Sequence, residues 1–150
     1  MDLYDSEKAA RVWQRVHPGN GSGLNEESLN SFIFQLRQLF SLYRKLSTQV
    51  SPIHSFIPRS LSDQKRTQAA CLRGLFILSI GPCPEPPLPS LPKEPLLATL
   101  RRCYAMEAQL LTQFEIHSAG PSHGPVFAAL ASEQKSHCRS ILHLVGLMER

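Results

Sequence analysis

Glu107, Gln134 and His137 are the side chains in this sequence whose type and spacing could do chemistry. Between Phe127 and Met148 the apolar residues Phe127, Leu130, Ile141, Leu144 and Met148 recur at helical spacing and define a core face. Carrying that register through the gap places Gln134 and His137 on the same face. It leaves Glu133, Lys135, Ser136 and Arg139 beside it or opposite. Glu107 falls squarely on the stripe of the preceding helical segment. A buried polar group costs a few kcal/mol unless it finds a partner, so two chemistries present themselves. In one, Glu107, His137 and Gln134, completed by waters, hold a single iron, manganese or zinc ion, since one carboxylate and one imidazole suit any of these weakly. In the other, no cofactor is bound and no residue is catalytic: Glu107 accepts from His137, and Gln134 bridges the remainder. Two adjacent divalent ions need several anionic ligands to screen their repulsion. Glu133 could add a second carboxylate only if a one-residue bulge turned it inward, because one step along a helix rotates a side chain by about 100°.

Four long helices must position these groups. The first starts after Asn25, a good cap followed by Glu26 and Glu27 at the positive end of the dipole, and runs to about Val50. Its stripe is Leu29, Phe32/Ile33, Leu36, Leu39/Phe40, Tyr43, Leu46 and Val50. A loop with Pro52 and Pro58 leads to a second helix, about Ser60 to Ile80. Its apolar side carries Leu61, Cys71/Leu72, Leu75 and Leu78, interrupted by Gln64, Thr67 and Gln68. Seven prolines between Gly81 and Pro95 exclude helix and central strand and predict an extended strap. At about 3.1 Å per residue it is long enough to travel a bundle end to end, which permits the second and third helices to lie parallel. The third helix is expected from Lys93 or Glu94 to His117, with Pro95 in its first turn. The fourth is expected from Phe127 to Met148. Ahead of them, residues 5–16 read as a short amphipathic helix bearing Ala9, Val12, Trp13 and Val16, with 17–23 as linker. That helix is too short to stand alone and calls for a docking site on the main body or on a second copy in a homodimer. The other histidines, at 17, 54, 117, 123 and 143, fall mainly in loops or off the stripes and receive no role.

The chain of 150 residues suits one bundle domain over 24–150, preceded by the segment 1–23. Its 16 basic and 12 acidic residues give +4, but the cations are scattered in ones and twos, with no run to track phosphates, so nucleic acid is not an expected partner. The start, Met1-Asp-Leu-Tyr-Asp-Ser-Glu7, lacks the features of a signal peptide, and no apolar run approaches a membrane span. A cytoplasmic protein with an unknown protein partner is expected. The four cysteines include no Cys-x-x-Cys pair and read as free thiols.

The two helix pairs share a scheme: Leu61-Ser-Asp-Gln-Lys-Arg-Thr67 matches Ala131-Ser-Glu-Gln-Lys-Ser-His137, and Tyr43 follows Leu36 by seven positions as Phe114 follows Glu107. With the strap between them, these segments resemble the ferritin-like superfamily, and within it the rubrerythrin-like proteins. The resemblance covers about residues 25–148. It implies an all-α bundle of two helical hairpins joined by a long crossover at 81–95. In active members, such a core holds two metal ions, with a glutamate from the first helix of each hairpin and a Glu-x-x-His pair from the second. Carried onto this sequence, Glu107 and His137 keep their ligand types, Gln134 replaces a glutamate, and the first hairpin offers Leu36, Gln64 and Thr67. The di-metal centre is therefore incomplete. The resemblance then implies a non-catalytic structural or interaction protein, with a metal-dependent oxidoreductase or peroxide-handling protein bearing a single-metal site as the alternative.

Overall fold

A computed structural model describes residues 24–149, so the amphipathic helix expected over 5–16 and its linker lie outside the described residues. The described residues form four helices and no strand: α1 (Glu26–Gln49), α2 (Phe56–Ser79), α3 (Leu96–Ser118) and α4 (Gly124–Met148). They are consistent with a four-helix bundle.

Helix ends follow local chemistry. Asn25 and Ser28 cap α1 reciprocally, the Asn25 side chain accepting from the Ser28 N–H at 2.8 Å and the Ser28 hydroxyl from the Asn25 N–H at 2.9 Å. The second helix begins four residues before the expected Ser60, because Pro58 sits in a first turn whose N–H groups need no helical partner. Pro95, expected inside the first turn of α3, is instead its extended N-cap. The last helix starts three residues before Phe127, with Pro125 in its first turn behind a left-handed His123 (φ 60°). At Gly124 a Cβ would stand 2.9 Å from the Ser118 carbonyl oxygen, so the tight return from α3 needs glycine there.

The pairs α1/α2 and α3/α4 pack as hairpins, which meet through α1 against α3 and α2 against α4. Phe32 meets Phe114 edge-on at 5.4 Å and Tyr43 reaches Glu107, so α1 and α3 run antiparallel. Near that end His117 lies between Phe32 and Phe127, with ring centroids at 5.5 and 5.2 Å. It is buried, and burial lowers its pKa, so the expectation that His117 stands apart from the core is corrected. The segment between α2 and α3 has neither helix nor strand and follows α1. Glu85 pairs with Arg37 at 3.7 Å and Arg73 at 3.3 Å, and the Pro92 carbonyl accepts from Lys45 Nζ at 3.3 Å.

One stripe differs from the sequence expectation. The buried face of α2 is Leu61, Lys65, Gln68/Ala69, Leu72 and Leu75/Phe76, while Gln64, Thr67, Cys71 and Leu78 are exposed. The inward face is rotated by one residue because the five-residue run Leu61, Lys65, Gln68, Leu72, Leu75 keeps the helical period, in steps of four and three. The expected run drifted onto Leu78, which is 81% exposed.

Candidate functional site

Each helix sends polar groups to one point in the core: Tyr43 from α1, Lys65 and Gln68 from α2, Glu107 from α3, Gln134 and His137 from α4. All six are buried. Glu107, Gln134 and His137 stand where the sequence placed them. Leu36 also faces inward as expected, but Gln64 and Thr67 lie outside, and Lys65 and Gln68 take the inward positions from the first hairpin.

The Lys65 ammonium is fully buried and forms an ion pair with Glu107 Oε1. Its other two donors go to Gln68 Oε1 at 3.0 Å and to Gln134 Oε1, which uses all three of its N–H bonds. Glu107 is equally engaged. Its Oε1 also accepts from Gln134 Nε2 at 2.8 Å, and its Oε2 accepts from the Tyr43 hydroxyl at 2.8 Å. The Gln134 amide additionally donates to the Glu107 backbone carbonyl at 3.1 Å, and Gln68 Nε2 donates to Glu133 Oε2 at 3.1 Å. This is a nearly closed network of charge-assisted bonds across all four helices.

The electrostatics follow from burial and from that pair. Desolvation pulls the Lys65 pKa below the usual lysine value, and Glu107 opposes the shift by favouring the charged form. Burial first, and Glu107 second, hold the Tyr43 phenol well above its ordinary pKa, so it serves as a donor. The neighbouring Cys103 thiol is pushed up to about 12, chiefly by burial, and packs as a small apolar group.

His137 stands beside the network without joining it. The expected hydrogen bond from His137 to Glu107 is not made, because the Lys65 ammonium and Tyr43 hydroxyl already occupy the carboxylate. His137 Nδ1 is buried with no partner. Burial, with the Lys65 charge behind it, brings its pKa down to about 3, so the ring is neutral. On its outer side it lines an open groove of about 610 Å³ with Phe56, Arg59, Asp63, Gln64, Thr67 and Glu133. The bulge that would turn Glu133 inward is absent: α4 is one uninterrupted helix, and Glu133 sits at its exposed rim, reached by Gln68.

As metal ligands, the inward groups offer one carboxylate, two amides and one imidazole, with an ammonium already held by the carboxylate and both amide oxygens. Among the described residues no group of three or more His, Cys, Asp and Glu side chains could hold a metal ion. A cation placed on Glu107 and Gln134 would stand against the like charge of Lys65, and this donor set does not fit a di-metal centre.

Sequence reasoning missed Lys65, placed Gln68 on the apolar side of α2 without giving it a role, and assigned Tyr43 to packing alone. The signal was present in the periodicity, since Lys65 follows Leu61 by four and precedes Leu72 by seven. The duplication carries it as well. Buried Leu61, Lys65, Gln68 and Leu72 correspond to buried Leu130, Gln134, His137 and Ile141 at a constant separation of 69, not the 70 of the local sequence match. Buried Leu29, Phe32, Leu36, Leu39, Tyr43 and Leu46 correspond in the same way to Leu100, Cys103, Glu107, Leu110, Phe114 and His117 at a separation of 71. Comparison with protein-family models, curated proteins and solved structures gives no match. No helix among the described residues is long and apolar enough to cross a membrane.

Proposed function

We propose that this chain is a ferritin-like bundle of the rubrerythrin-like kind in which an internal ammonium takes the place of metal ions, and that it acts as a non-catalytic structural or interaction protein. The observation that carries the proposal is the Lys65–Glu107 ion pair at the centre of the bundle. Ferritin-like metal sites take a glutamate from each of two helices and a Glu-x-x-His pair from each of the other two. The corresponding inward positions here are Leu36 and Glu107, Lys65 with Gln68, and Gln134 with His137. Lysine at a ligand-glutamate position supplies as an organic cation the positive charge that Glu107 would otherwise take from a metal, without redox chemistry or an open coordination position. The two hairpins, and the strap following α1 between α2 and α3, support the ferritin-like arrangement with its crossover at 81–95.

The test is metal content. Full-length protein incubated with zinc, manganese or ferrous iron and then passed through a desalting column should carry far less than one ion per chain by elemental analysis. Retention approaching one or two ions per chain, abolished by Glu107→Gln, would overturn the proposal in favour of a metal-dependent oxidoreductase.

A further inference from the structure

The strap between α2 and α3 is more than a connector, and its burial pattern shows how it is held. Cys83, Pro86, Pro89 and Pro92, joined by Leu91, are half-buried, whereas Pro84, Glu85, Pro87, Leu88 and Ser90 are exposed. A half-buried position every third residue is the signature of a polyproline II helix lying with one edge along the bundle, because that helix has three residues per turn. Contacts on either side fix it: Glu85 against Arg37 and Arg73, and the Pro92 carbonyl on Lys45 Nζ. The exposed edge presents Pro84 and Pro87, one turn apart, with Leu88 beside them at 86% exposure. Pro84 and Pro87 form one wall of an open groove of about 450 Å³ whose other wall is α1 at Glu27, Asn30, Ser31 and Phe34, and among the described residues Leu88 is the most exposed of the large apolar side chains.

We infer that the ridge Pro84–Ser90 is a docking surface for a protein whose binding groove is lined by aromatic side chains and reads a polyproline II helix. Such grooves take prolines spaced i and i+3 and an adjacent aliphatic side chain. They gain affinity because the ligand is already ordered. Free proline-rich peptides still pay part of that ordering entropy; here the scaffold holds the ridge in place before any partner arrives. The inference names the partner class for the interaction-protein reading above, and its fate is separable from that reading, since metal content and binding at the strap are measured independently.

The experiment titrates fluorescently labelled full-length protein with a panel of isolated SH3 and WW domains, which carry such aromatic grooves. At least one domain should bind in the micromolar range. The double variant Pro87→Ala/Leu88→Ala should bind that domain roughly tenfold more weakly, as expected for loss of an anchor pair. Leu142→Ala, an exposed apolar change on α4, should bind as the unmodified protein does. In the unmodified protein, the amide resonances of Glu85, Leu88, Ser90 and Leu91, the non-proline residues of 84–91, should be the ones the domain shifts, a readout independent of the variant's folding. Absence of binding by every domain, equal weakening by Leu142→Ala, or shifts confined to other surfaces would overturn the inference.

Discussion

An imidazole taken out of water without a new partner loses hydration and gains nothing, and His137 Nδ1 is in that position. Its folded pKa of about 3 lies below the ordinary 6.5, so between those values the unfolded chain binds a proton that the folded chain does not. Stability therefore falls as pH drops from about 6.5 toward 3 and is restored as pH rises. His137→Leu is expected to leave stability at neutral pH within about 1 kcal/mol of the unmodified protein, or to raise it, because it removes an unpaired polar atom from the core. The same change should flatten the acid-side loss. Urea unfolding at neutral pH and at several acidic values measures both effects. A loss of several kcal/mol at neutral pH would mean that His137 holds a partner on which the core depends.

At the scale of the element, α2 shows how a helix can be assigned correctly while its face is misjudged. Its sequence contains enough helix formers to run from Phe56 to Ser79, but its apolar residues are few and its outward side includes Ile77 and Leu78. Gly74 sits in its interior, and a Cβ there would meet nothing within 4 Å. Gly74→Ala should therefore stabilise the protein by about 0.5–1 kcal/mol, through helix propensity and a less flexible unfolded chain. Thermal unfolding of the single variant checks it. An unchanged or lower midpoint would show that glycine has a packing role there.

At the scale of the whole molecule, the Lys65–Glu107 network ties four helices and both hairpins to one point, so its members should be strongly non-additive. Lys65→Met leaves Glu107 as an uncompensated carboxylate in the core and is expected to cost about 3–5 kcal/mol. Replacing the pair together, Lys65→Met with Glu107→Leu, removes both charges and should cost clearly less than the single change. Denaturant unfolding of the two singles and the double closes the cycle. Additive losses would show that the two side chains do not act as a pair.

How much was legible varies with the scale of the question. Local chemistry in the sequence determined the helices themselves: the Asn25 cap, the proline run at 82–95 that excludes regular structure, and the long apolar stripes. It also determined that Glu107, Gln134 and His137 point inward, because Leu100, Leu110 and Phe114 carry the α3 register past Glu107, and Phe127, Leu130, Ile141 and Leu144 carry the α4 register across its polar gap. Tertiary structure decided the partner of Glu107. A lysine is read from sequence as a solvent group, since its isolated charge costs too much to bury. Only the convergence of α2, α3 and α4 puts a carboxylate and two amide oxygens around the Lys65 ammonium. Once those contacts exist, the lysine belongs on the inner face, the α2 register shifts by one residue, and a pattern that suggested an incomplete metal site becomes a filled ionic centre.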